Sequence, residues 1–600
     1  MKKYSIYAFM SAIALTGAVG FSSCSSSSDE VIPNPDYNPE DNVVKAQFAI
    51  ALQDNVLNSK TRMSADNVQA GGTLAQFKGI KGMTLLPFSA SSTTALNGSV
   101  ITLSPDIDAS TSGTATEKVK VFSNVNIQTG TNRFLFYGQA KDGSAGFEHG
   151  ALKIPTDFSA FSTMKFEPQP INATINQTGA EYTVCTKLLE LMTSVANTKT
   201  GTTTWGPAGT GETQTTVVAL QSMYSKFISM KAGSSQMVKD ALEDLYNELN
   251  TMATTGTDPG YALATAIRTS ILASGANSVS GTPGSQTLSL GAVYSGYPAN
   301  LNLPDGAARI KWDSTNKEFV DESLAGSGDV TALTKYAYPA NIQYFVNSTI
   351  KTQTSKVLVE SDDWATNIAK YASGGAIVDA DTRSVALKEK VKYGVGRFDV
   401  SVAALNGNPY YDKAGNPVIV TNGFTLKGII VGGQKPVNYL FEQVTTEGTS
   451  TYTMYDNQIP TSNLIKASTA TGTNYTLVLQ NKESDTNGIN FALELVNNGA
   501  DFEGKDGVIP AGGTFYLIGN LLPGNATNKD VVDNAIKNFV FKQDYSTTAT
   551  CTIQNGTTEG GEVGLGCATN CLPDLTAPTM ELGFSVDLSW KAGLQFNVNF

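Results

Sequence analysis

Residues 205–213 read WGPAGTGET, and Gly206-x-x-x-x-Gly211-Glu212-Thr213 is one residue away from a loop that cradles phosphates. That chemistry needs a lysine after Gly211 to meet the β- and γ-phosphates. Glu212 stands there instead, and its negative charge repels a polyanion. The preceding TKTGTTT is not the buried apolar strand from which such a loop springs. The stretch reads as a Gly/Thr loop between two helices. Other candidates for chemistry are as thin. The single histidine, His149, nearly excludes a histidine base or a multi-histidine metal site. Asp362 and Asp363 are a carboxylate pair of the kind used on glycosides. Adjacent residues on a strand, however, point to opposite faces, and on a loop they face water. Cys551, Cys567 and Cys571 have no histidine nearby and make a poor zinc set. A local disulfide within Cys551–Cys571 is the expectation, and Cys185 stands apart. Neither an enzyme nor a metal or cofactor is expected.

The composition points to structure. The chain has 600 residues, 41% hydrophobic and 16% charged, ample for two large cores. Its 56 glycines and its many Thr, Ser and Asn suit strands joined by polar turns. A net charge of −12 without a basic stripe leaves little to neutralise phosphates, so a nucleic-acid partner is not expected.

The first residues carry an address. Lys2 and Lys3 precede a short apolar run, Tyr7 to Phe21, which ends Phe21-Ser22-Ser23-Cys24 before a serine run. This looks like a bacterial lipoprotein signal over 1–24, with Cys24 lipidated (palmitate-type acyl chains) and a Phe where Leu is usual. Several acyl chains, at roughly 0.8 kcal/mol per buried methylene, tether an exported protein. Ser25–Asp41 is a polar, Pro-bearing tether. No later stretch is apolar for long enough to span a bilayer.

The elements that follow are mostly strands. VVKAQFAIALQ (43–53) places Val44, Ala46, Phe48, Ile50 and Leu52 on one face at period two. Polar NSKTRMSADN comes next, with Lys60 and Arg62. FKGIKGMTLLPF, KVKVFSNVNI and RFLFYGQAKDG are further strands, and Pro87 argues for an edge or a strand end. At about 180 the period changes. EYTVCTKLLELMTSVAN, VVALQSMYSKFISM, QMVKDALEDLYNELNTM and YALATAIRTSILASG have helical spacing, the third with an acidic, solvated face. From about 384 strands return at regular intervals between Gly, Asn and Asp, the rhythm of a sandwich. At the end Met580, Leu582, Phe584, Val586, Leu588 and Trp590 share a face, and Leu594, Phe596, Val598 and Phe600 continue it after a short turn. An alternating terminal strand must bury that face in its own domain or in a neighbouring subunit. The fold class is therefore mainly β: two β-sandwich-like domains, 63–383 and 384–600, with a helical insertion at about 180–275 in the first.

FKGIKGMTLLPF (77–88), RFLFYGQA (133–140), KVKYGVGRFDVSV (390–402), LKGIIVGGQKPV (426–437), TMYDNQIP (453–460) and ELGFSVDLSW (581–590), with the signal and the terminal strand, give a recognisable order. The chain resembles the Bacteroidales fimbrillin family, the type V pilins. The likeness covers most of the chain, but not the helical block or the Cys551–Cys571 region. It implies transthyretin-like domains, a lipid-anchored precursor at the cell outer membrane, and an extracellular fimbrium that supports adhesion. It also implies an Arg-specific, trypsin-like surface protease that cuts after the first strand. The matching position is Arg62, with Met63 the new N-terminus and 25–62 a propeptide. Removal of Val44 to Leu52 then opens a groove, which a C-terminal strand drawn from Leu582 to Phe600 of another subunit fills. The partners implied are other fimbrial subunits, in a homopolymer or a mixed filament, with room for a host or bacterial surface receptor.

Physical chemistry agrees with that scheme. A missing strand leaves unpaired N–H and C=O groups and a bare apolar trench worth on the order of 10 kcal/mol. A donor strand restores both, and a head-to-tail contact propagates instead of closing. Two other readings stand beside it. One is a surface lipoprotein that binds glycans through Trp205, Trp312, Trp364 and the 23 tyrosines. The other is a fimbrial tip adhesin, with the helical block as the place to look for its ligand.

Overall fold

The computed structural model describes parts of 37–52, residues 79–90, 100–108, 118–141, 165–171, 180–198, 235–249, 261–273, 336–354 and 376–404, most of 410–553, and shorter pieces, among them parts of 277–321 and 586–599. The architecture is mainly β, with sheets stacked in sandwich fashion.

The first sandwich is built from β1 (Val43–Leu52), β2 (Lys81–Ser89), β3 (Lys118–Gln128) and β4 (Thr131–Gln139). Between β4 and the next long strand lie α1 (Ala180–Thr198), α2 (Ser235–Glu248) and α3 (Tyr261–Ala273). The sandwich is completed by β5 (Gln343–Gln353) and β6 (Ser384–Leu387). The strand order is β3-β1-β6-β5-β4-β2. β5 turns the corner: Gln343–Thr349 pair with β4, and Ile350–Gln353 pair with β6. The two halves therefore face each other, and Phe48 of β1 meets Phe134 of β4 edge-to-face, centroids 5.2 Å apart. Pro87 sits near the end of β2, where its partner across the ladder is Phe134 and the short strand Ile101–Thr102 no longer reaches.

Three of the four helical stretches form helices as their spacing predicts, and VVALQSMYSKFISM lies mostly outside the described residues. Leu242, Leu245 and Leu249 of the α2 region are fully buried, while Asp240, Asp244 and Glu248 are exposed. A hairpin at Ile310–Asp313 and Glu318–Asp321, which periodicity did not reveal, packs beside it, and the Phe319 N–H donates to Thr193 Oγ1 at 2.8 Å.

The second sandwich comprises β7 (Gly396–Ala404), β8 (Phe424–Gln434), β9 (Tyr452–Asp456), β10 (Asn474–Val478), β11 (Ile489–Asn497), β12 (Thr514–Leu521) and β13 (Ser546–Ile553). It ends in β14 (Val586–Asp587) and β15 (Gln595–Asn599). One sheet runs β9-β8-β11-β12, and the other runs β10-β7-β13-β15-β14. Phe398, Val400 and Val402 point into the core between them, as their alternation predicts. The chain crosses between sandwiches more than once: Ser384–Leu387 still belong to the first sheet, whereas Tyr336–Ala337 pair in parallel with β9 of the second. An aromatic junction joins the two. Phe441 stacks on Phe166 at 4.6 Å and lies 5.0 Å from Phe345, and the Tyr137 hydroxyl donates to the Tyr439 carbonyl. Gly394 passes beneath the Phe441 ring, and a Cβ there would stand 2.8 Å from it.

One expectation is corrected here. Cys551 is a free thiol, fully buried in the second core, so the expected disulfide does not include it. The reason is parity: β13 aims Ala549, Cys551 and Ile553 inward, and Cys551 packs as a small hydrophobe. Cys567 and Cys571 lie outside the described residues. Burial pushes the Cys551 thiol well above its ordinary range. It is therefore expected to resist a thiol reagent in native buffer and to react within seconds to minutes once the chain is denatured, which a timed absorbance assay checks.

Candidate strand-exchange site

The site predicted from sequence is β1 and its surroundings. Val44, Phe48 and Ile50 are fully buried in the first core, and Ala46 nearly so, while Lys45 is exposed. Leu52 closes the strand opposite Lys118. β1 is an interior strand. On one side it pairs antiparallel with β3 from Val43↔Gln128 to Leu52↔Lys118. On the other it pairs in parallel with β6, Gln47 to Ala49 against Ser384 to Ala386. Further bonds extend that side: the Gln47 N–H donates to the Arg383 carbonyl at 2.9 Å, and the Val391 N–H to the Ala51 carbonyl at 3.1 Å. β3 carries one extra residue opposite Ala46–Phe48, and Asn124 takes a positive φ of 57° within that bulge. Without β1, two rows of backbone donors and acceptors and one wall of the core would face water.

The other face of β1 is less obvious from sequence. Ala49 and Ala51 are also fully buried, together with Val119, Tyr371 and Ala386. A period-two pattern alone assigns that face to solvent, and Tyr371, with Ile368 beside it, covers it instead. Alanines at two successive outward positions were the signal available in the sequence.

The C-terminal arm is seated in its own chain. β15 pairs in parallel with β13, where Phe596 and Val598 are in register with the inward-facing Ala549 and Cys551. β14 pairs antiparallel with β15, Val586 against Val598. The arm is anchored upstream. Leu572 and Leu575 are buried on the outer face of the β8–β11–β12 sheet, among Ile430, Tyr455 and Tyr516. Gly432 lies directly below, where a Cβ would strike the Leu575 carbonyl. Beneath the same patch the buried Glu494 accepts the hydroxyls of Tyr455 at 2.5 Å and Tyr516 at 3.0 Å, which satisfies both carboxylate oxygens.

The remaining predicted positions lie outside the described residues: Cys24, Arg62, Met63, Leu582, Phe584, Leu588, Trp590, Leu594 and Phe600, and also Gly206–Thr213, His149, Trp205, Asp362, Asp363 and Trp364. Among the described residues no three His, Cys, Asp or Glu converge to hold a metal, and no helix is long and apolar enough to cross a membrane.

One buried carboxyl titrates near neutrality. Burial raises Asp456 at the end of β9 to about 6, opposed by the neighbouring Thr476 hydroxyl and by the Gln458 N–H, which donates at 3.0 Å. The folded chain thus holds that proton more tightly than the unfolded chain. The stability this contributes is fully present below pH 4 and is lost as the pH rises through about 6, roughly 3 kcal/mol across the window. Asp456→Asn is expected to match the parent near pH 4 and to be more stable by about 1–3 kcal/mol at pH 8, measured by denaturant unfolding at both values.

Comparison with protein-family models finds no match, and neither does comparison with curated protein sequences. Among solved structures, a candidate cell adhesion protein from Bacteroides eggerthii aligns over 92% of this chain and 98% of its own, at 10% identity and a TM-score of 0.31. One from Bacteroides fragilis aligns over 47% of this chain and 74% of its own, at 14% identity and a TM-score of 0.18. One from Bacteroides uniformis aligns over 40% and 74%, at 13% identity and a TM-score of 0.16. Likeness this loose carries neither fold nor function over to this chain.

Proposed function

We propose that the chain is a non-enzymatic structural subunit of a cell-surface filament that supports adhesion, assembled by strand exchange. The observation that carries this reading is the position of β1: interior, paired on both edges, and supplying one wall of the first core. It is joined to the rest through 53–78, the stretch that holds Arg62. In this scheme the precursor is exported and held at the outer membrane through Cys24. An Arg-specific surface protease cuts between Arg62 and Met63, and β1 departs. The arm beyond Leu575 of another subunit enters the groove, restoring main-chain pairing through hydrogen bonds and register through alternate side chains. Repetition gives a head-to-tail filament with like or related subunits. Adhesion to a host or bacterial receptor is the expected use.

The reading is tested by truncation. Chain ending at Leu575 is expected to be cut by trace trypsin like the parent yet to form no heat-resistant ladder on a denaturing gel. A ladder of unchanged intensity would remove the arm from the scheme.

A further inference from the structure

We propose that the strand taken up from a second copy is the 582–590 stretch, and that a small-residue slot on the outer face of the first sheet selects it. This rests on the strand-exchange reading above. The slot is formed where β1 presents Ala49 and Ala51. Ala49 is flanked in register by Ala386 of β6 and Val121 of β3, and Ala51 by Val119. The side chain of Tyr371 closes over them, with Ile368 beside it. This cover is fastened to β5: the Ala372 N–H donates to the Thr352 carbonyl at 3.2 Å, and Lys351 Nζ to the Ile368 carbonyl at 3.2 Å. β5 stays when β1 leaves, so the cover stays too. Whatever replaces β1 must then carry two small side chains two residues apart on its outer face, because larger ones would have to displace a packed ring. Positions 45 and 47 impose no such limit, since Lys45 is exposed and Gln47 half-buried.

The two halves of the arm differ on this count. Behind Leu582, Phe584, Val586, Leu588 and Trp590 lie Gly583, Ser585, Asp587 and Ser589. Gly583 and Ser585 supply the required pair whichever way the strand enters. Behind Leu594, Phe596, Val598 and Phe600 lie Gln595, Asn597 and Asn599. Any two successive positions there would push amides into an alanine-sized space and bury them without partners. The ladders favour the same half. Among the described residues β14 (Val586–Asp587) pairs with β15 alone, whereas β15 pairs with both β13 and β14, so β14 parts from one ladder where β15 parts from two.

Peptides make the test. The full chain is cut after Arg62, and filament growth is followed in the presence of peptide 580–591 or peptide 592–600. The first is expected to block growth, and the second to require at least about tenfold more. A Ser585→Leu version of the first should lose its effect and regain it against a Tyr371→Ala acceptor, whose folding is shown by its response to the parent peptide. Should filaments grow and only 592–600 block them, or should the Ser585→Leu peptide act as well as the parent, the slot does not select the donor, although strand exchange stands. If no cut-dependent filament grows at all, the exchange reading falls and this inference with it.

Discussion

Phe48→Ala is expected to destabilise the uncleaved chain by about 3–5 kcal/mol while leaving assembled filaments as stable as the parent's. The first part follows from packing. The ring is fully buried and set edge-to-face on Phe134, and both neighbouring strands are pinned by their own ladders, so the cavity cannot collapse. The second part follows from strand exchange. Phe48 leaves with β1, so a filament contains no ring at that position from its own chain. Denaturant unfolding of the uncleaved variant measures the first effect. The temperature at which the filament ladder dissociates measures the second. Phe134→Ala is the control, because Phe134 remains and its loss should weaken both states. A Phe48→Ala filament that melts as early as the Phe134→Ala one would mean that β1 is never removed.

The second large effect lies between the sandwiches. Arg397 and Asp399 form a buried ion pair, Nε to Oδ1 at 2.6 Å, and Arg397 stacks over Tyr475 at 4.7 Å. Tyr475 in turn packs against the first core. Burial raises the Asp399 carboxyl, and the Arg397 charge and hydrogen bond hold it down. Arg397→Met leaves that carboxylate buried without its partner and is expected to cost about 3–5 kcal/mol. Replacing both, Arg397→Met with Asp399→Leu, should recover most of the loss, since two apolar side chains need no partner. Urea unfolding of the single and double variants checks both. A single variant within about 1 kcal/mol of the parent would show that the pair is hydrated and not buried.

Much of this fold was legible because the decisive strands alternate. Val44 to Ile50 and Phe398 to Val402 each declare an inward face, and the helical block declares itself through Leu242, Leu245 and Leu249. The gaps have physical causes. β5 escapes a period-two reading because it turns a corner and is buried on both faces near its start, so Gln343, Tyr344, Phe345 and Val346 do not alternate. Cys551 is expected from sequence in a local disulfide that export would permit, whereas its position on β13 makes it a core residue. The outer face of β1 is covered by Tyr371, far along the chain, and a period-two pattern by itself leaves such a face to solvent. No local pattern reports a cover supplied from more than three hundred residues away. Of the candidate site, the trench was readable, but its narrow outer slot was not.

Strand exchange requires that β1 be removed and replaced. The purified precursor, without its signal segment, is treated with a trace of trypsin; the new N-terminus is read by mass spectrometry and the product imaged by electron microscopy. A single cut between Arg62 and Met63, followed by filaments, is the predicted result. Resistance at Arg62, or clean cutting that leaves a stable soluble monomer with β1 still bound, would contradict it.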